Sequence, residues 1–264
     1  MNKSKNLDHI STENKEIARR VIDLCEIVAK TRSIQCTDFY NPFEVKELSS
    51  LINTYDTISF SLIGNEDSES KAILIYPDYM NEVNAADFVS LIRIDKKDYD
   101  IAHKDALGSL LSLGIKREKV GDIIINDEAI YFYVRNEILD YVLLNLEKIK
   151  NYGVDLEAID LETPLARAID YEEKLVTCAS ARLDLVLANV YNLSRSDAKN
   201  AIEAGLVKIN YKVTYKISET LDVGDMVSMR RRGRFIVGDY LGLSKKDKLK
   251  PVSYTHLTLP TTPY

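Results

Sequence analysis

The residues best able to do chemistry in this chain of 264 residues are basic and lie late in it. In the stretch 180–235, SARLDLVLANVYNLSRSDAKNAIEAGLVKINYKVTYKISETLDVGDMVSMRRRGRF, Leu183, Val186 and Leu187 take the spacing of a buried helix stripe, and the first turn displays Arg182. Ser194 stands three residues before Asp197, a helix cap followed by an acid that suits the positive end of a helix. The helix that follows turns Ala198, Ala201 and Ile202 inward and carries Arg195 and Lys199, four apart, on its outer face. Gly205 suits the end of that helix, and a strand begins over Leu206 to Asn210. After the Asp222-Val-Gly-Asp225 turn, a second strand, Met226 to Arg230, runs into Arg231, Arg232, Gly233 and Arg234. A helix N-terminus with unpaired N–H groups beside guanidinium and ammonium groups is the makings of a phosphate site. Arg182, Ser194, Arg195, Ser196 and Lys199 form its helical part, and Arg230, Arg231, Arg232 and Arg234 its strand end. Lys208, Asn210 and Lys212 surround a strand turn and serve equally as further contacts or as turn residues.

The charge balance agrees once it is counted by segment. The chain as a whole has a formal charge of −6. Residues 1–173 hold 20 Lys and Arg against 33 Asp and Glu, whereas residues 174–250 hold 15 against 8, a split of −13 and +7. An acidic majority thus conceals a basic module. No run reaches the roughly 20 apolar residues of a membrane span, and no apolar stretch follows the first lysines as in a secretory leader, so a cytoplasmic protein with no membrane partner is expected. Cys25, Cys36 and Cys178 show no CxxC spacing, which leaves them as small buried or half-buried residues rather than a disulfide framework or a zinc site. No cofactor or metal is expected.

Elements that must position these groups follow from periodicity. Ile17, Val21, Leu24 and Val28 predict a surface helix within 8–31, with Lys15, Arg19, Arg20 and Asp23 outward. Pro42 fits the start of a short helix, and the β-prone runs 57–63 and 72–76 pair most simply as a hairpin. From 86 to 160 the order is strand (88–94), helix (102–113), strand (122–125), strand (130–134), helix (136–149) and a last strand near 154–159. Gly114 marks the end of the first helix and Asn126-Asp127 the turn between the middle strands. This βαββαβ order fits a ferredoxin-like, RRM-like domain. Tyr131 and Tyr133 share one strand face, where they either stack bases or pack the sheet. The reading is an α+β protein: an N-terminal α/β domain (1–82), the RRM-like domain (83–162), a polar linker (163–175) containing Pro164, the basic module (176–250), and a tail (251–264), disordered or non-native, outside the fold.

A second basic cluster, Lys116, Arg117 and Lys119, follows Gly114 within the acidic half, and with His103 and Lys104 it offers a further contact or a solvated loop. His103 beside Asp105 is better explained as a helix start than as an acid–base pair, because no activated nucleophile or metal motif accompanies it. No G-x-G-x-x-G, P-loop or HExxH occurs.

The four elements A-R-L-D-x-x-L-A, L-S-R-S-x-A, G-x-V-K-I-N and G-D-x-V, in that order over about 55 residues, resemble the S4 RNA-binding domain. With AHKDALGSLLSLGIKREKVGDIII (102–125) before it and SMRRRGRF and the Lys-rich SKKDKLK after it, the chain resembles the YlmH family of bacterial S4-domain proteins. That resemblance implies an N-terminal domain, an RRM-like middle domain and a C-terminal S4 domain of αL type. It also implies binding to rRNA and tRNA on the large ribosomal subunit, and a role, beside other quality-control factors, when a stalled subunit still holds peptidyl-tRNA. Two positions depart from the family pattern: Lys104 stands where an arginine is usual, and Arg231-Arg232 where the tip is glycine-rich. S4 domains also occur in pseudouridine synthases, whose active-site aspartate lies in an R-L-D stretch. Here Arg182-Leu183-Asp184 is followed at once by the S4 helix pair, and Asp184 reads as a structural helix-end residue. A cell-division adaptor is the remaining alternative.

Overall fold

The computed structural model describes residues 7, 10–65, 68–165, 171–175, 178, 180–243 and 249–256. The chain divides into two compact units, Met1–Ala168 and Ile169–Tyr264.

In the first unit, helix α1 (Lys15–Thr31) ends at Arg32, which takes a left-handed φ of 60° and donates its N–H to Val28. Its buried stripe is Ala18, Val21, Ile22, Cys25 and Val28; Ile17 and Leu24, expected at its centre, lie at its margins. Strand β1 (Gln35–Tyr40) was not legible in the sequence. Its period of two breaks at a shift of register between Cys36 and Phe39, where the Thr37 hydroxyl replaces a ladder acceptor and receives the N–H of Ile73 at 2.9 Å. Helix α2 (Pro42–Ile52) starts where Pro42 placed it: Asn41 accepts from the N–H groups of Phe43 and Glu44, and Glu44 reaches back to the N–H of Asn41. Strands β2 (Ile58–Ile63) and β3 (Lys71–Pro77) form the expected antiparallel hairpin, and the sheet order is β1-β3-β2.

Strand β4 (Val89–Asp95), helix α3 (His103–Ser112), strands β5 (Val120–Ile125) and β6 (Ala129–Arg135), and helix α4 (Leu139–Asn145) follow. The short ribbon of β7 (Lys148–Ile149) and β8 (Tyr152–Gly153), then β9 (Leu156–Ile159), complete the unit. Gly114 closes α3 with φ +80°, and Asn126 makes the middle turn by accepting from the N–H groups of Glu128 and Ala129. The second helix is half the expected length: after Asn145 the chain turns into the ribbon, whose corner needs Lys150 at φ 54°. The four strands are antiparallel in the order β5-β6-β4-β9.

These pieces make four layers. Helices α1 and α2 cover one face of the first sheet, α3 and α4 cover one face of the second, and the two sheets pack against each other through Phe39, Ala72, Leu74, Val89, Leu91, Ile124, Tyr131 and Tyr133. Strand β6 is therefore buried on both sides, Ile130, Phe132 and Val134 toward the helices and Ala129, Tyr131 and Tyr133 toward the other sheet. Gly121 permits the close approach, since a Cβ there would lie 2.7 Å from the Phe39 ring. The two N-terminal parts that the sequence separated thus share one buried layer.

The second unit holds strand β10 (Tyr171–Leu175), helices α5 (Leu183–Val190) and α6 (Arg195–Glu203), and strands β11 (Val207–Ile209), β12 (Lys212–Val213), β13 (Met226–Met229), β14 (Gly233–Leu243) and β15 (Leu249–His256). The sheet order is β10-β15-β14-β13-β11-β12. Both helices pack on one sheet face through Leu183, Val186, Leu187, Ala198, Ala201 and Ile202 against Val207, Val227, Phe235 and Val237. Strand β10 falls in the stretch expected to be linker, and most of β15 in the stretch expected outside the fold. The two pair with each other antiparallel, so backbone ladder bonds supply what their polar, aperiodic sequences did not signal. Residues 166–170, 257–264 and most of the Lys-rich stretch, 244–248, lie outside the described residues.

Candidate nucleic-acid interface

Two of the basic residues that the sequence singled out around the helix pair, Arg182 and Arg195, converge on one buried carboxylate. Arg182 is the residue before α5, in extended conformation, and Asp184 sits in the first turn with its side chain 2% exposed. Arg182 Nε donates to Asp184 Oδ1 at 3.0 Å and its Nη2 to Oδ2 at 3.2 Å, while Arg195 Nε donates to Oδ2 at 3.0 Å. Both guanidinium groups keep an open side, with exposures of 38% and 63%. Burial raises the pKa of Asp184, but the two guanidinium groups more than offset it and hold the carboxyl below its ordinary value. Asp184 therefore stays ionised and fixes the direction of two cations.

The backbone supporting this triad is fixed from a third segment. Leu183 N–H donates to Glu219 at 2.8 Å, Leu221 N–H to Ala181 at 2.9 Å, and Arg182 bridges Thr220, which brings Ile217 alongside α5. Ser194 caps α6, accepting the N–H of Asp197 at 3.0 Å, and its hydroxyl meets that of Ser196 at 2.8 Å. An open cleft of about 530 Å³ results, lined by Arg182, Asp184, Arg195, Ser196, Lys199 and Ile217. Lys199 lies one turn along α6 from Arg195, 3.8 Å from Glu203, with about half of its side chain exposed. Three cations with open faces beside the capped start of a helix make a site for an anion with several oxygens, such as a phosphodiester.

The remaining predicted contacts occupy other places on the same unit. Register puts Lys208 of β11, Ser228 of β13 and Arg234 of β14 in one row, on the sheet face opposite the helices. Arg230, Arg231 and Arg232 form the exposed β13–β14 turn, in which Arg231 takes φ 65°. That turn is fastened to the end of α5 by Tyr191, whose hydroxyl donates to the Gly233 carbonyl at 2.9 Å. Lys212 is exposed on β12. The side chain of Asn210 is committed to the turn itself, donating to Asp225 at 2.8 Å and accepting the N–H of Met226 at 2.9 Å.

Three family models match in sequence order: "YlmH, N-terminal" over residues 13–80, "Putative RNA-binding domain in YlmH" over 85–163, and "S4 domain" over 181–227. Over 244 residues the chain is 31% identical to the Ribosome-associated protein quality control protein P2 of Bacillus subtilis (strain 168), covering 91% of this chain and 94% of that relative. The chain belongs to the YlmH family. Among solved structures it is similar to the Cell division protein ylmH from Streptococcus pneumoniae, with 25% identity and a TM-score of 0.50, over 58% of this chain and 94% of that one. The S4 match places an S4 domain within the second unit, and the helices and strands described above make the whole a mixed α+β protein.

Within the first unit the structure decides between one pair of alternatives and divides a second group of residues. Tyr131 and Tyr133, read as either base-stacking or sheet-packing residues, are 9% and 2% exposed and lie between the two sheets, so sheet packing is the account that holds. Of the second basic cluster, Lys119 is paired with Asp38 at 2.6 Å and with Glu137, and Arg117 donates to the carbonyls of Val120 and Gly121. These two cations tie elements together, whereas Lys116, His103 and Lys104 are exposed. Asp105 accepts the N–H of Ala102 at 2.9 Å and the ammonium of Lys150 at 2.9 Å, a helix start, as read from the sequence. The residue that sequence reasoning undervalued is Asp184: its place in A-R-L-D was seen, but its bond to an arginine eleven residues on was not. No helix among the described residues is long and apolar enough to cross a membrane, and no group of three potential ligands there could hold a metal ion.

Proposed function

We propose that this YlmH-family chain is a non-enzymatic RNA-binding protein that engages rRNA and tRNA on the large ribosomal subunit through its S4 domain. The observation that carries this reading is the buried Asp184 carboxylate, which orients Arg182 and Arg195 beside Lys199 at the start of α6. Neutralising phosphates supplies affinity there, and the fixed geometry of the guanidinium groups supplies preference for a particular backbone shape. The similarity to a protein named for ribosome-associated quality control supports a role on stalled subunits that retain peptidyl-tRNA, in the cytoplasm and beside other factors of that process.

The helix pair packed on a sheet and followed by the β11–β12 turn supports the αL-type reading of the S4 domain. The β-α-β-β-α-β succession with strand order β5-β6-β4-β9 supports the RRM-like reading of the middle part. The excess of acids before residue 174 repels phosphates from the first unit and so favours RNA contact through the basic one. Against the pseudouridine-synthase reading, the Asp184 side chain is 2% exposed and accepts from two guanidinium groups, an arrangement that suits an orienting carboxylate better than a nucleophile.

Sedimentation of the full chain with isolated 30S subunits, 50S subunits and 50S carrying peptidyl-tRNA tests the reading. Recovery with 50S or its peptidyl-tRNA complex, lost in Arg182→Ala/Arg195→Ala/Lys199→Ala, is expected. Equal recovery of the triple variant would remove the cleft from the account, and recovery with no particle would remove the ribosome.

A further inference from the structure

The cleft explains how phosphates are held and leaves bases without a partner. In the first unit Tyr131 and Tyr133 are buried between sheets. Among the described residues of the S4 domain, Tyr191 and Tyr211 are half-buried, whereas Tyr215 is 66% exposed.

Tyr215 is held in place rather than loose. Its ring end rests on Gly205, just past α6: a Cβ at Gly205 would lie 3.0 Å from Cε1 and 3.1 Å from the hydroxyl oxygen. Gly205 has φ +68°, so the same residue turns the chain and leaves room for the ring. The backbone on either side is fixed, with Thr214 N–H donating to Val207 at 3.1 Å and Lys216 N–H to the Thr214 hydroxyl at 3.2 Å. The Thr214 hydroxyl in turn donates to Glu219 at 2.5 Å. Two residues after Tyr215, Ile217 lines the phosphate cleft, and its carbonyl accepts the N–H of Asp184 at 3.4 Å. Two residues of chain span at most about 7 Å, which bounds the backbone separation of Tyr215 and Ile217. Gly205, under the ring, lies six residues or about 9 Å along the axis of α6 from Lys199, the nearest cation of the cleft on that helix. Lys212 and Lys216, on either side of Tyr215 in sequence, are exposed.

We infer that Tyr215 is a base-stacking platform of this S4 domain, taking an unpaired nucleobase next to a phosphate held by Arg182, Arg195 and Lys199. The inference rests on the RNA-binding reading above. A stacked base gains from any π-face, so the contact favours unpaired nucleotides at the mouth of a stem without reading their sequence. Tyr215 thereby gives the cleft a preference for a stem–loop junction over a continuous duplex.

The test uses the full chain and two RNA probes: a stem with a seven-uridine loop, and the same stem with an abasic loop that keeps every phosphate. Wild type binds the uridine loop more tightly than the abasic loop. Tyr215→Ala loses affinity for the uridine loop by roughly 5- to 150-fold, the range of single base–aromatic contacts. The variant binds the abasic loop as wild type does and melts at the same temperature. Tyr215→Phe and Tyr215→Trp keep the difference between the probes, and Tyr215→Leu loses it. Equal wild-type affinity for both probes, or an equal loss on both in Tyr215→Ala, would overturn the stacking role and leave the phosphate cleft standing. Failure of wild type to bind either probe would overturn the RNA reading and the stacking role together.

Discussion

Replacing Asp184 by asparagine sets two effects of opposite sign against each other. The substitution removes a negative charge from beneath a phosphate-binding cleft, and across the open, water-filled cleft that charge alone makes RNA binding tighter by about 1 kcal/mol. It also removes the acceptor that holds Arg182 through two hydrogen bonds and Arg195 through one. An asparagine presents one acceptor and one donor, and the donor faces a guanidinium that also only donates. Two long side chains must then be ordered by the RNA itself, at about 0.5–1.5 kcal/mol each. The balance centres on a loss of about 1 kcal/mol, or roughly fivefold weaker binding, so the more positive protein binds less well. Stability falls too: breaking a buried pair costs about 3–5 kcal/mol, and the exposure of both arginines brings the expectation down to about 1–3 kcal/mol. The folded-state pKa of Asp184 lies below its unfolded value, so this contribution is complete above the ordinary aspartate range near 4 and is lost as pH falls through the folded value. The stability gap between wild type and Asp184→Asn is thus flat from about pH 5 to 8 and closes below about pH 4. Fluorescence anisotropy with a labelled stem–loop and urea unfolding across pH measure both. Binding by Asp184→Asn as tight as or tighter than wild type would refute the orienting role.

Other consequences follow from the same contacts. Phe39→Ala, at the sheet-to-sheet layer, lowers unfolding free energy by about 3–5 kcal/mol in urea unfolding and leaves RNA affinity of the folded protein unchanged. Arg231→Gly relieves a left-handed residue at φ 65° and raises stability by about 1 kcal/mol, while calorimetry and anisotropy together show weaker RNA binding from the lost cation. Lys119→Ala costs about 1 kcal/mol of stability through its bonds to Asp38 and Glu137 and changes RNA affinity less than twofold, whereas Lys199→Ala does the reverse. Burial pushes the Cys25 thiol up to about 12 and that of Cys36 to about 11, so at pH 8 a thiol reagent labels both only as fast as the protein opens.

The S4 domain was the most legible part of the chain because its signals are local. Ser194 and Asp197 cap a helix within one turn, Gly205 ends it, and the Ala198, Ala201 and Ile202 stripe needs no distant partner to be recognised. The same locality explains the hairpin of β2 and β3, the Asn126 turn and the helix start at Pro42. What escaped depends on contacts far apart in sequence. Strand β1 is defined by its pairing with β3, more than thirty residues on, with the Thr37 hydroxyl accepting the Ile73 N–H where the register shifts. Strand β10 is defined by its pairing with a strand near the end of the described chain. Tyr131 and Tyr133 were ambiguous for the same reason, since an aromatic row on a strand looks alike whether it meets bases or a second sheet. In the site itself, the residue types and the phosphate chemistry were readable. The division of cations into a helical cleft, an opposite sheet face and a hairpin tip was set by strand register, which the sequence does not display.

The central claim is that Arg182, Arg195 and Lys199 neutralise RNA phosphates. Its most direct test is the salt dependence of binding to a stem–loop RNA by wild type and by Arg182→Ala/Arg195→Ala/Lys199→Ala. With a slope of roughly 0.7–0.9 per phosphate contact, the account predicts that log K against log salt becomes shallower by about 2–3 in the triple variant. A variant whose affinity falls while its slope stays that of wild type would contradict it, because the lost residues would then be shaping the domain rather than meeting the phosphates.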